Sequence, residues 1–519
     1  MERKSFPSMT GLGRFMKYNI VQAFWYFDSL TGEFHYRIKG PGEALAEDQR
    51  FQVTNVHIFH PLFPELALSA DLLILHLLPD PEIGRIIQLR KDAGKPTIFE
   101  IADNFLEPGH WVSTDDAYRN PLIRQYFLHY AASCDAVQFS THKLQEVFSQ
   151  LNPQQRVFEN QVDHFHDQSP ALPPLVIGWG GSVGHKEDLA AIAGQIVDFC
   201  RSHEGVRFVY MGHPPIYDEL FATLGDRGQC IPAGPLEDYY QFLAGIHIGI
   251  APLKDTAFNA SRSDVKFIEY AAHHVVPLLA DAAPYREHGA HGENALFFNS
   301  PRALRILLEE LYEQQDWVKR LAQQAYTYAS TQRGRSKHIH LRADFYVNLI
   351  GGAPQTPGLP SLPDCSGLMA YMRQVTHHFD NDQFHKTLNV LARVLALHPN
   401  YQLAQIFKMR TLLALGKYQE LLNLFLQAER HPIYSDIHYE CLAAAVRALG
   451  HEAWRDLAEE IVDPNQKLRQ GLENLDLEKA RKLISHNAYD YDALLYLTTQ
   501  LDPSDPEHGQ ILARLRFFS

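Results

Sequence analysis

From Asn19 onward, short apolar runs alternate with stretches of helical periodicity: YNIVQAF, ADLLILHLL, PTIFEIA, CDAVQFS and QRVFEN. Parallel strands need a crossover before they can pair, and a helix is the usual one, so this alternation predicts a parallel sheet covered on both faces. A second series, LVIGWGG, VRFVYMG, GQCIPAG, IHIGIAPL, VVPLLA and ALFFN, follows the Pro-containing segment DHFHDQSPALPP. Two doubly wound units joined in this way would face each other across a cleft, with ligands outside the carboxyl ends of the strands. The expected boundaries are 1–168 for the first unit and 169–350 for the second, which ends in a return helix.

The 519 residues exceed one core, since domains usually hold ~100–200 residues. The dense Pro/Gly run GGAPQTPGLPSLPDCSG, 351–367, reads as a linker to a helical region, 368–519. There HPNY at His398 recurs 33 residues later as HPIY, and ALG at Ala414 recurs 34 residues later. That period is the tetratricopeptide one, and the segment from Phe384 resembles such a helix-turn-helix repeat without its Trp and most of its small residues. A further pass begins at LEKARKLISHNAYDYDALLYL.

A net charge of −14 argues against a broad nucleic-acid or anionic-membrane footprint. Five scattered cysteines include no CxxC pair and cannot close a complete disulfide framework, which points to a reducing compartment. The amino-terminal residues lack an apolar signal core, and no run approaches the ~20 apolar residues of a membrane span. A cytoplasmic protein with at most peripheral membrane contact is expected.

The turn IGWGGSVGHKEDL, Ile177–Leu189, ends a strand, and Leu189, Ile192, Ala193, Ile196, Val197 and Cys200 then fall on one helix face. Backbone N–H groups and the dipole at such a helix start favour a phosphate or diphosphate. The following strand ends in Met211 and Gly212, not in the acidic residue a nicotinamide dinucleotide site wants for its ribose. Glycines that only tighten a strand–helix packing turn are the alternative. In NASRSDVKFIEYAAHHVVPLLA, Asn259–Ala280, Ser261 and Ser263-Asp264 offer caps before a short helix that carries Glu269. A carboxylate has two acceptor oxygens and can take both hydroxyls of a ribose diol. Taken alone, a glutamate at this position is more often a solvated helix residue.

Together these stretches resemble family four of the retaining glycosyltransferases, which have the GT-B architecture of two Rossmann-like domains, over roughly residues 17 to 340. IGWGGSVGHKEDL resembles the family's first donor-domain turn, and SDVKFIEYAAHHVVPLLA its nucleotide-sugar helix. GEFHYRIKGPGEAL, GKPTIFEIADNF, CDAVQFSTHKLQEVF and VFENQVD match more weakly and in the expected order. The resemblance implies transfer of a sugar from a nucleotide diphosphate sugar to a protein or saccharide acceptor, with retention and without a metal. No cofactor is implied beyond the donor, a UDP- or GDP-sugar. Asp103, Glu269 and Lys266 are the residues expected to carry the reaction. Gly180, Gly181, Ser182, His185, Lys186, Arg262, Lys266, Glu269 and Arg37 are those expected to hold the donor, Arg37 reaching the cleft from a strand end.

The chain departs from the family pattern in three places. Ser261 stands where a first glutamate is usual, Ser182 stands where an Arg is usual, and His274 replaces a small residue. A catalytically weak or inactive scaffold acting through its helical repeats is therefore the second expectation, and an epimerase or phosphorylase of the same fold a third. DYD at Asp490 lies in the helical tail and follows no strand. DHFHD reads as a metal clip or as a solvated loop. The repeats themselves read as an acceptor-binding surface, a docking or self-association surface, or a stabilising cap.

Overall fold

The computed structural model describes residues 17–25, 32–109, 115–353, 358–450 and 475–518. Residues 354–357 of the Pro/Gly run and residues 451–474 lie outside them. The first sheet holds β1 (Tyr18–Phe24), β2 (Phe51–His57), β3 (Leu72–His76), β4 (Thr97–Ile101), β5 (Ala136–Phe139) and β6 (Gln155–Val157). The second holds β7 (Leu175–Gly180), β8 (Val206–Gly212), β9 (Gly228–Pro232), β10 (Ile248–Ala251), β11 (Val276–Ala280) and β12 (Leu296–Phe298). Their orders are β2-β1-β3-β4-β5-β6 and β12-β11-β10-β7-β8-β9, and each neighbouring pair is parallel. The strand order therefore reverses between β1 and β3 in one sheet and between β7 and β10 in the other. This is the expected fold class: two Rossmann-like domains in the GT-B arrangement, followed by an all-α region.

Side-chain alternation explains how each sheet is covered. Ile20, Leu72, Ile74, Ile98 and Ala136 bury one face of the first sheet against Ala343 and Tyr346 of the helix Arg335–Ile350. Val21, Leu73, Leu75, Phe99, Val137 and Phe139 bury the other face in a second core. That second core also contains Leu368, Met372, Val375, Leu391, Val394, Tyr401 and Leu403 from beyond the linker. The helical region is thus packed onto the first domain and not merely tethered to it. Arg410 pairs with Glu82 at 2.7 Å, and Gln52 of β2 donates to the Leu359 carbonyl at 2.8 Å, so the linker is strapped along the sheet edge.

The repeated tetrapeptides have a structural cause. Tyr401 and Tyr434 sit just before the helices Gln402–Ala414 and Ser435–Leu449, and both are buried. Gly416 and Gly450 end those repeats with φ of 67° and 66°, a left-handed turn that glycine enters without steric cost.

The second domain is joined to the first by two chain crossings that lie side by side. Val162 N–H donates to the Arg333 carbonyl at 3.0 Å, and Arg335 N–H to the Val162 carbonyl at 2.9 Å. Arg333, 2% exposed, makes a two-pronged ion pair with Asp264 and also donates to the Asn160 carbonyl at 2.9 Å. Removing one partner of a buried pair strands the other charge in a poorly solvating interior, at a cost of about 3–5 kcal/mol. Arg333→Met should lower stability by that order in chemical denaturation, and Arg333→Met with Asp264→Leu should recover part of the loss. A single variant as stable as the wild type would show that the pair does not hold the hinge.

Candidate active site at the interdomain cleft

The loops that meet between the domains all leave the carboxyl ends of strands. Asn104 follows β4, Thr141 follows β5, Asn160 follows β6, and Ser261 and Ser263 follow β10. Asn104 Nδ2 donates to Ser261 Oγ at 3.2 Å, Thr141 Oγ1 to the Ser261 carbonyl at 3.1 Å, and Asn160 Nδ2 to Ser263 Oγ at 2.9 Å. Ser261 itself is 2% exposed and donates to the Ala257 carbonyl at 2.9 Å. The residue standing where a glutamate is usual is therefore part of the contact between domains.

Glu269 lies on the helix Val265–Ala272 and is 5% exposed, so it is not a solvated helix glutamate. Each of its carboxylate oxygens accepts a tyrosine hydroxyl: Tyr36 of the first domain donates to Oε1 at 2.8 Å, and Tyr239 of the second to Oε2 at 2.7 Å. Lys266 Nζ reaches the same Oε2 at 3.1 Å and the Tyr239 oxygen at 2.7 Å, lying over that ring. Burial and the Glu269 charge push both tyrosines well above the ordinary phenol range, so they remain donors. Two hydroxyls on two carboxylate oxygens is the pattern a vicinal diol would present.

Arg262 is held from behind by a relay. Its guanidinium donates to His185 Nε2 at 2.9 Å, and His185 Nδ1 contacts Asp188 Oδ2 at 3.0 Å. Asp188 Oδ1 accepts from the Lys254 N–H at 2.8 Å and from Asn259 Nδ2 at 3.1 Å. Burial and the Arg262 charge pull His185 down to about 4, the neutral form needed to accept from Arg262. Across the cleft stands Asp103. Burial raises its pKa against the pull of the Arg262 charge and of the Tyr118 hydroxyl, which donates at 3.3 Å.

The glycine turn is shaped largely by packing. A Cβ on Gly178 would lie 2.6 Å from Ile246, and one on Gly180 would lie 2.8 Å from Tyr239. The Gly181 N–H is bound to the Met211 carbonyl at 3.0 Å, and a Cβ there would lie 2.8 Å from the Trp179 ring. Gly180 and Gly181 therefore have structural reasons to be glycine whether or not they approach a phosphate. After Ser182 the chain forms a single 3-10 turn, then the helices Lys186–Ala190 and Ala193–Ser202, so the expected single helix is broken at Ile192. Leu189, Ile192, Ala193, Ile196, Val197 and Cys200 are all buried, as their spacing predicted.

Two expected donor ligands sit elsewhere. Lys186 pairs with Glu219 at 2.7 Å on the exposed surface, apart from the network around Arg262. Arg37 lies on the π-helical turn Phe34–Lys39, not at a strand end, and is 2% exposed. It is consumed inside the first domain by Glu100 at 2.5 Å, the Phe158 carbonyl at 2.6 Å and Asn160 Oδ1 at 2.9 Å.

The histidines of DHFHD stack and do not converge on a common ligand point: His164 lies 4.2 Å from the Tyr240 ring, and His166 lies 6.5 Å from His273. His274 adopts a positive φ of 53°, which accounts for the small residue usual there; its ring is stacked 3.9 Å from Tyr326. Tyr36, Asn104, Thr141 and Asp188 lie inside the stretches that carry the resemblance, and Tyr239 lies outside them. In none does local spacing give the role, which appears only where the fold sets them against Glu269, Ser261 and His185.

No protein-family model and no curated protein sequence matches the chain. Solved structures similar in overall shape include HepE from Anabaena in complex with UDP-glucose, at 14% identity over 63% of this chain and 99% of that one, with a TM-score of 0.46. A sucrose-phosphate synthase from Thermosynechococcus elongatus aligns at 12% identity over 64% of this chain and 100% of its own, TM-score 0.49. A glycosyltransferase from Rickettsia africae aligns at 11% identity, 64% and 99%, TM-score 0.46.

A neutral, buried His185 binds a proton more weakly when folded than when unfolded, where its pKa is near 6.5. The unfolded chain therefore takes up more protons between about pH 6.5 and 4, and His185 lowers stability as pH falls through that window. His185→Gln should show a shallower loss of stability over that range in denaturation curves at fixed pH steps. An unchanged slope would mean that His185 is not neutral in the folded protein.

Proposed function

We propose that the chain is a glycosyltransferase that takes its sugar from a nucleoside diphosphate donor, with UDP- and GDP-sugars first in order of expectation. The observation that carries this reading is the placement of both Glu269 and Arg262 after β10, at the β7/β10 reversal, opposite Asp103 of the other domain. In open parallel sheets, ligands settle at such a reversal point. Glu269 would receive the ribose hydroxyls in place of the two tyrosines. Arg262, fixed by His185 and Asp188, would face the diphosphate together with the Ser182 turn, and Lys266 would add charge once Glu269 exchanges partners.

The leaving nucleoside diphosphate gains negative charge as the glycosidic bond breaks, so fixed donors on its oxygens lower the barrier most. Asp103, with its raised pKa, is suited to orient an acceptor hydroxyl or accept its proton from the first-domain side. Transfer with retention, without a metal, and to a protein or saccharide acceptor completes the reading; these finer points rest on the resemblance of motifs set out above.

A second reading has its own observation. Ser261 is sealed by Asn104 and Thr141, so no carboxylate occupies the position where one usually meets the donor sugar. That favours a scaffold with little turnover. Donor binding separates the two readings. At ~100 times its dissociation constant, a nucleotide sugar adds roughly 2.7 kcal/mol to stability, readable as a shift in melting temperature.

One nucleotide sugar should stabilise the wild type and be slowly hydrolysed, and both effects should weaken in Glu269→Ala. A silent panel would leave the scaffold reading in its place. Tyr36→Phe removes a hydroxyl that occupies Glu269, and a hydrogen bond to a charged group is worth about 1.5–3 kcal/mol. Donor affinity in this variant should rise about tenfold or more; an unchanged or weaker affinity would place the ribose away from Glu269.

A further inference from the structure

The loops that close the cleft also gather a set of side chains that the donor site does not use. His142 follows β5, Glu159 follows β6, and Glu287 follows the short helix Ala283–Arg286 after β11. One ligand atom from each lies within 4.8 Å of the other two, the only such grouping of three or more His, Cys, Asp or Glu among the described residues. Two of the three come from the first domain and one from the second.

Glu159 is already oriented by His288, whose Nε2 lies 2.5 Å from its Oε1. Such a contact fixes a ligating carboxylate in the way outer partners fix metal ligands. Glu159 and Glu287 carry like charges at close range, and no described Lys or Arg is paired with Glu287. A cation between them would relieve that repulsion. One imidazole with two carboxylates is a donor set for a borderline divalent ion such as zinc, since the imidazole disfavours magnesium and the oxygens disfavour copper(I).

We propose that His142, Glu159 and Glu287 bind one divalent transition-metal ion, of the zinc type, that links the two domains. Its role is to hold the cleft closed, beside the contact of Thr141 with the Ser261 carbonyl. The proposal does not depend on the transferase reading, because its ligands are not those of the donor site.

The test is calorimetric titration of Zn²⁺ into the full chain after chelator treatment, with Mg²⁺ as the comparison ion. The wild type should bind one Zn²⁺ in preference to Mg²⁺. His142→Ala and Glu287→Gln should each weaken that binding by at least about tenfold, and His288→Ala by about 10–100-fold, with melting temperatures in the absence of metal close to wild type. Small-angle scattering should show the wild type contracting on Zn²⁺ addition and Glu287→Gln unchanged. Absence of Zn²⁺ binding, binding indifferent to His142 and Glu287, or binding lost instead in His164→Ala would each overturn the proposal.

Discussion

The arrangement of this molecule depends on one short segment, Ser261–Asp264, that belongs to the second domain and is bonded largely by the first. Asn104, Thr141 and Asn160 grip it from three different strand ends, and Arg333 neutralises Asp264 where the chain returns. The contacts of Ser261 and Asp264 are polar and buried, so losing one leaves a buried group unsatisfied, and the Asn160–Ser263 contact is half-buried beside them. The segment also leads into the helix that carries Lys266 and Glu269, and it holds Arg262. Closing the domains therefore completes the site: Tyr36 and Asp103 of the first domain meet Glu269 and Arg262, which the second domain already holds in place.

A second buried network governs the opposite wall. Arg37 binds Glu100, Gln138 donates to the same carboxylate, and Tyr346 of the returning helix donates to Gln138 at 2.9 Å. Burial alone would raise the pKa of Glu100, but Arg37, His76 and Arg342 hold it below the ordinary range, so its charge stays in place. Arg37 therefore acts on the cleft indirectly. It pins the π-helical turn whose previous residue, Tyr36, crosses to Glu269. π-Turns are often found where a side chain must be re-aimed toward a functional position.

Much of the fold was legible because burial forces a pattern. All six strands of the second sheet and five of the first appear as apolar runs, since sheets covered on both faces need them. β2 was missed for the same reason in reverse: FQVTNVH sits at the sheet edge, with Gln52, Thr54 and Asn55 only half-buried. The site was legible less well. Glu269, Arg262 and Asp103 lie on the cleft because they follow strand ends, which the motif order locates. Arg37 is expected in the cleft from a strand end and Lys186 from its place after the glycine turn, but position along the chain does not say which carboxylate a side chain will find: Arg37 meets Glu100 and Lys186 meets Glu219. The tyrosines on Glu269 come from segments more than 200 residues apart, and no local spacing encodes such a meeting.

The helical region changes what moves against what. It reads in the sequence as a separate body beyond a Pro/Gly linker, yet its first helices complete the core of the first domain. The linker lies along β2, whose open backbone would otherwise invite pairing with another chain. The returning helix Arg335–Ile350 is likewise continuous with the second domain but packed on the first. Opening the cleft must therefore carry the first sheet, the returning helix and the packed helices together, bending only at the two crossings near Val162 and Gly334. Large buried apolar contacts resist relative motion and small polar ones permit it, which places flexibility at the cleft and rigidity between the first domain and the helices. A surface presented by those helices thus keeps a fixed relation to Asp103, whichever position the second domain adopts.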